Sequence, residues 1–135
     1  MILCDAGPLI ALVDQDDEDH AVCRALLPSL TRPLISTWPC LTEAMYILGH
    51  RSGFHGQSLL WNLVRTQKVT LHAPAPDRLA RMRELMTQYQ DLPMDLADAS
   101  LVAAAEALNL TQIFTLDKDF LIYRLTGDKA FEIVP

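Results

Sequence analysis

The 135 residues include 17 acidic and 11 basic side chains, giving a formal net charge of −6, and half are hydrophobic against 21% charged. This balance excludes a disordered chain, and the acidic excess excludes a broadly cationic nucleic-acid surface. Any nucleic acid must therefore be held by a local basic patch or through a metal.

The length suits one domain over residues 1–135 with a sizeable core. The start, Met1-Ile2-Leu3-Cys4-Asp5, has no basic leader region, and no apolar run is long enough for a membrane span, so a cytoplasmic protein is expected. Cys4, Cys23 and Cys40 lack zinc-type spacing and are expected to be reduced core thiols.

Met1–Cys4 is a short apolar run that predicts a buried strand, ending abruptly at Asp5. Pro8–Val13 predicts a short helix, which Asp5 could cap. Asp14–His20 is an acidic loop; it lacks the glycine and glutamate that a calcium loop needs at its sixth and twelfth positions. Ala21, Ala25, Leu26 and Leu30 predict an amphipathic helix that must end by Pro33 and can break at Pro28. Leu34–Thr37 predicts a second strand. A helix is expected from Thr42 to Gly49, then a partly basic flexible turn from Arg51 to Gly56, then a second helix over Gln57–Gln67.

Val69–Ala73 predicts a third strand. Asp77–Tyr89 predicts an amphipathic helix with Leu79, Met82, Met86 and Tyr89 on one face. The stretch from Asp91 to Leu110 is apolar nearly all round, so a buried helix is expected there, with Pro93 in its first turn. Asp95 and Asp98 interrupt its start. Asp95 has an ordinary role as a cap, whereas Asp98 sits inside the helix between Ala97 and Ala99 and needs a partner. Gln112–Leu116 predicts a fourth strand, Leu121–Leu125 a short helix, and Phe131–Val134 a closing edge strand. Strands alternating with helices imply an α/β fold built on a mostly parallel sheet.

Four acids recur at comparable places: Asp5, Glu43 and Asp117 just past strand ends, and Asp98 at a helix start. Ligands of open α/β sheets sit at the carboxyl ends of strands. Carboxylates gathered at one rim repel one another, and a hard divalent cation relieves that repulsion. Oxygen-only ligands favour Mg2+ or Mn2+, ions suited to cleaving phosphate esters.

The chain resembles PIN-domain proteins, and within them the VapC-like toxic ribonucleases of bacterial type II toxin–antitoxin pairs. The resemblance is carried by Ile2-Leu3-Cys4-Asp5, Leu41-Thr42-Glu43-Ala44, Asp95-Leu96-Ala97-Asp98-Ala99-Ser100-Leu101-Val102-Ala103 and Thr115-Leu116-Asp117-Lys118-Asp119-Phe120. It implies a three-layer α/β/α fold with a five-stranded sheet in the order 3-2-1-4-5. It also implies a metal-dependent endoribonuclease that leaves a 5′-phosphate and a 3′-hydroxyl. Carried over by position, Asp5, Glu43, Asp98 and Asp117 form the catalytic and metal-binding quartet for Mg2+ or Mn2+, with Asp119 as an auxiliary ligand. An RNA substrate, a homodimer and a cognate antitoxin follow from the same resemblance.

One departure is Ala6, where many members carry a hydroxyl; Thr115 or Ser36 could replace it. Arg51, Arg65, Lys68, Arg78 and Arg81 are candidates for an RNA-facing patch. The main alternative is a PIN-like scaffold that binds RNA or a protein without cutting. A phosphoaspartate receiver lacks its adjacent acidic pair, because Ala6 follows Asp5. A haloacid-dehalogenase-like phosphatase lacks its second aspartate, because residue 7 is Gly7.

Overall fold

A computed structural model describes all residues from Met1 to Pro135. Its central sheet has five parallel strands: β1 (Ile2–Cys4), β2 (Leu34–Thr37), β3 (Val69–His72), β4 (Gln112–Phe114) and β5 (Glu132–Val134). Their order is β3-β2-β1-β4-β5, as the resemblance implies. Leu3 pairs with Ile35 on one side and Ile113 on the other, so β1 is the middle strand. Successive strand residues point to opposite faces, and Ile2, Leu3 and Cys4 are all buried. Both faces of the sheet are therefore covered, as parallel sheets require.

The cover comes from α1 (Ala6–Val13), α2 (His20–Leu26), α3 (Trp38–Arg65), α4 (Leu79–Gln88) and α5 (Leu96–Leu108). Helix α1 packs on α2 and α3, and α4 packs on α5. The small side chains Ala97, Ala99, Ala103, Ala104 and Ala105 are all buried in α5, which lets this helix approach its neighbours closely. Asn109, in the left-handed region at φ 57°, ends it. A single cluster of buried apolar residues runs through the molecule.

Several expectations are corrected. Helix α5 starts at Leu96, capped by Asp95, and Pro93 lies in the preceding turn instead of the helix. Helix α3 starts at Trp38, not Thr42: Thr37 is its cap and Pro39 sits in its first turn. Gly49 does not stop it; the break between two helical stretches falls at Gly53, inside the expected turn, and is a single kinked residue and not a loop. The chain continues to Arg65 with a kink at Gly53, at φ 63° and ψ −151°, a conformation open essentially to glycine alone. In α2 only Cys23 is buried, so Ala21 and Ala25 face outward. Leu121–Leu125 is not a helix. A 3-10 turn over Lys118–Leu121 leads into an antiparallel hairpin in which Arg124–Leu125 pairs with Lys129–Ala130. Gly127 and Asp128, both at positive φ, form its turn. No helix is long and apolar enough to cross a membrane.

Candidate active site

The four strand-end and helix-start acids are brought to one rim by the topology. Because β1, β2 and β4 are adjacent and parallel, residues just past their carboxyl ends emerge side by side. Asp5 follows β1 and caps α1: its Oδ1 accepts the Ala6 amide at 2.8 Å. Capping and a role in the cleft are thus not alternatives for this residue. Asp98 lies in the first turn of α5, its amide donating to Asp95 Oδ1 at 2.8 Å. Asp117 follows β4, and its Oδ1 accepts the Asp119 amide at 2.9 Å, capping the 3-10 turn.

Asp5, Asp98 and Asp117 each present a carboxylate oxygen, all within 4.8 Å of one another. Asp5 is 8% exposed and Asp98 7%, while Asp117 is more open to solvent. Glu43, exposed on the second turn of α3, lines the same cleft but is not in that group of three. Asp95 lines it as well. Asp119 does not; its backbone amide supports Asp117 while its side chain stays outside the three-acid group. The cleft holds about 280 Å³, and its lining includes no lysine, arginine or histidine. None of its acids forms an ion pair.

Electrostatics follow from that arrangement. Burial pushes the Asp98 carboxyl up to about 7, the neighbouring Asp95 charge adds to the rise, and the hydrogen bond from Tyr123 opposes it. Asp5 is also raised, by burial first, against the hydrogen bonds from Thr115 and the Ala6 amide, with Asp117 and Asp95 adding like charge. Glu43 is raised by partial burial and then by Asp95, Asp5 and Asp117. Three acids in one cleft are thus shifted the same way, by burial first and by neighbouring like charge after it.

The hydroxyl absent at position 6 is supplied by the residue that follows β4. Thr115 Oγ1 donates to Asp5 Oδ2 at 2.8 Å and accepts the Asp117 amide at 3.0 Å, so it joins two of the three acids. Ser36, the other candidate, turns away and donates to the Cys4 carbonyl. Tyr123 has no counterpart in the sequence-based reading: its hydroxyl donates to Asp98 Oδ2 at 2.9 Å. Only the hairpin geometry after the 3-10 turn places it there, and no local pattern marks it.

The suggested basic patch is reduced. Arg51 pairs with Asp14 and Asp17, and Arg81 with Glu84 and Glu106. Lys68 lines the largest concavity, about 680 Å³, beside the first residues of β2 and β3 and away from the carboxyl ends. That concavity also holds Arg24 and Arg32 but none of the singled-out acids, which line the smaller cleft instead.

Comparison with known proteins agrees with this geometry. A model of the PIN domain family matches residues 2–125. Ribonuclease VapC26 of Mycobacterium tuberculosis is 24% identical over 135 residues, spanning 99% of this chain and all of the relative. The crystal structure of VapC20 from the same organism, a sarcin–ricin loop cleaving toxin, superposes with a TM-score of 0.81 at 17% identity, over 88% of this chain and 92% of that one. VapBC2 from Rickettsia felis, solved bound to a DNA fragment from its promoter, gives a TM-score of 0.70 at 16% identity over the full length of both chains. At such identities the two structures testify to the fold, and the match over residues 2–125 establishes the family: the chain belongs to the PIN domain proteins.

Proposed function

We propose that this chain is a Mg2+- or Mn2+-dependent endoribonuclease, a single PIN-like domain over residues 1–135 that hydrolyses RNA in the cytoplasm as the toxin of a toxin–antitoxin pair. The observation that carries the reading is the convergence of Asp5, Asp98 and Asp117, from three separate segments, within 4.8 Å in a cleft without a cationic side chain. Like charges this close are tolerated when a cation neutralises them. All the donors are carboxylate oxygens, the set that hard divalent ions prefer.

Asp5, Asp98 and Asp117 would hold the ion, and Glu43 would reach it from the rim; Asp119 orients Asp117 through its amide. A divalent ion there supplies water activation and stabilises the charge that develops on the scissile phosphate. Thr115 and the Ala6 amide fix both oxygens of Asp5, so this carboxylate needs no reorganisation. Glu43, exposed and with a raised pKa, accepts the proton of the attacking water at its Oε. Cleavage leaves a 5′-phosphate and a 3′-hydroxyl. No cysteine takes part: Cys4 and Cys40 are buried and raised, by desolvation first, and neither presents a thiolate.

The kinship with ribonuclease VapC26 supports RNA as the substrate, and the fold shared with VapBC2 supports an antitoxin partner. A homodimer is proposed with them. The test is Mn2+ calorimetry together with RNA cleavage on wild type and Asp98→Asn. Binding and cleavage by wild type, both absent from a folded Asp98→Asn protein, are expected. Cleavage by Asp98→Asn at the wild-type rate would overturn the reading.

A further inference from the structure

We propose that Tyr123 is a positioning residue for the acidic cleft: its hydroxyl fixes the Asp98 carboxylate in the orientation from which it can bind a divalent cation. The inference rests on the metal-site reading above. Tyr123 is fully buried, with its hydroxyl 2.9 Å from Asp98 Oδ2. Its ring cannot swing away. Tyr89 and Phe120 each meet it edge-on with centroids 5.1 Å distant, and Phe120 is backed by Phe131 at 5.5 Å. Tyr89 is itself fixed, because its hydroxyl accepts the Arg124 amide at 3.1 Å. The Tyr123 amide donates to the Asp119 carbonyl at 3.1 Å, so the phenol is anchored to the loop that also presents Asp117.

The chemistry of the donor matters as much as its place. Each of the three clustered acids has a carboxylate oxygen held by a neutral group: Asp5 by Thr115, Asp117 by the Asp119 amide, Asp98 by Tyr123. A lysine or arginine at position 123 would satisfy Asp98 equally well, but it would cancel the charge and compete with the metal. A phenol orients the carboxylate and leaves its full charge for the ion. Such outer partners of metal ligands typically carry about 10- to 100-fold of metal affinity. The bland competitor is a core tyrosine whose hydroxyl merely found an acceptor.

Tyr123→Phe keeps the ring and its two aromatic contacts while removing the donor. It should remain folded by circular dichroism and bind Mn2+ about 10-fold more weakly by calorimetry. Its cleavage deficit should be large at low Mn2+ and shrink as Mn2+ is raised, placing the effect on the metal requirement more than on turnover. Wild-type Mn2+ affinity in Tyr123→Phe, with binding abolished in Asp98→Asn, overturns the positioning role and leaves the metal site standing. Absence of Mn2+ binding by the wild type overturns the site and this role together. A measurement that needs no Tyr123 variant guards against misfolding: near-UV tyrosine absorbance during Mn2+ titration of Tyr46→Phe, which lacks the exposed tyrosine. A change that saturates with the calorimetric isotherm is expected, and a flat absorbance in a protein that binds Mn2+ overturns the proposal.

Discussion

Thr115 donates its hydroxyl to Asp5 across the seam between β4 and β1, although 110 positions separate the two residues in the chain. The parallel pairing of Leu3 with Ile113 and Cys4 with Phe114 puts the next residue of each strand alongside the other. A hydroxyl two residues before Asp117 therefore replaces one that could have followed Asp5. It also does more, since the same oxygen accepts the Asp117 amide. The alanine at position 6 therefore does not leave Asp5 without a hydroxyl partner.

Removing that hydroxyl tests the arrangement. Thr115→Val keeps the shape, strands one oxygen of buried Asp5 and deprives the Asp117 amide of its acceptor. Unsatisfied buried groups cost about 1–3 kcal/mol each, so an unfolding free energy lowered by that order is expected in a denaturant titration. RNA cleavage should fall about 10- to 100-fold, and Thr115→Ser should recover most of both. Equal stability and cleavage in Thr115→Val would deny the hydroxyl its role.

Glu43 is exposed on α3, at the mouth of the cleft, so Glu43→Gln should shift stability by no more than about 0.5 kcal/mol. A proton acceptor lost from a reacting water costs about 100-fold or more in rate. Mn2+ affinity should fall less than in Asp98→Asn, because Glu43 lies outside the three closest oxygens. The informative comparison is cleavage at saturating Mn2+. If Glu43→Gln matches wild type there, the glutamate only steadies the ion.

Much of this was legible in the sequence. A short apolar run broken by an acid is a strong signal when it recurs, and it located β1 and β4 with Asp5 and Asp117. The all-round apolar character of α5 predicted its burial, and Asp98 stood out because an aspartate has no local reason to be there. What stayed hidden depends on contacts between distant segments. Arg51 and Arg81 looked like free cations, yet their acids, Asp14, Asp17 and Glu106, lie more than 20 positions away. Tyr123 was invisible because its neighbours read as a helix, whereas the turn at Gly127 and Asp128 folds them into a hairpin. In α3 three glycines, Gly49, Gly53 and Gly56, fell at the expected stop and turn. Only Gly53 departs from helical geometry, and the ion pairs from Arg51 to the loop after α1 sit beside it.

Gly53 should therefore resist replacement. Nothing lies within 4 Å of a Cβ placed there, so any penalty comes from the backbone conformation and not from a clash. Gly53→Ala is expected to destabilise by about 1–3 kcal/mol in a denaturant titration. Gly49 is different: a Cβ there would meet the Gln57 side chain at 2.6 Å, and that flexible amide can move aside. A Gly53→Ala protein as stable as wild type would mean that α3 tolerates a straight path at the kink.

The cleft acids also set an inverted pH dependence for the metal-free protein. The folded chain holds the Asp98 carboxyl at about 7 against an ordinary value of 3.8. Between those values the folded state keeps a proton that the unfolded state has released, so stability falls as pH rises through the window. Asp5 and Glu43 are raised too and act with the same sign. Glu106, whose burial is outweighed by hydrogen bonds from Arg81 and Thr126, is lowered instead and acts with the opposite sign. The metal-free protein should thus melt higher near about pH 5 than near about pH 8, the Asp98 contribution being about 1–2 kcal/mol once solvent at the open cleft is allowed for. Mg2+ or Mn2+ should restore the loss near about pH 8 and do little near about pH 5, where protons compete for the same oxygens. Asp98→Asn cannot ionise, and its amide oxygen can still accept from Tyr123. Without metal it should melt above wild type near about pH 8, and added Mg2+ should leave it unmoved. A metal-free wild type that is more stable at the higher pH would mean that burial and neighbouring charge do not hold a proton on Asp98 in the folded state.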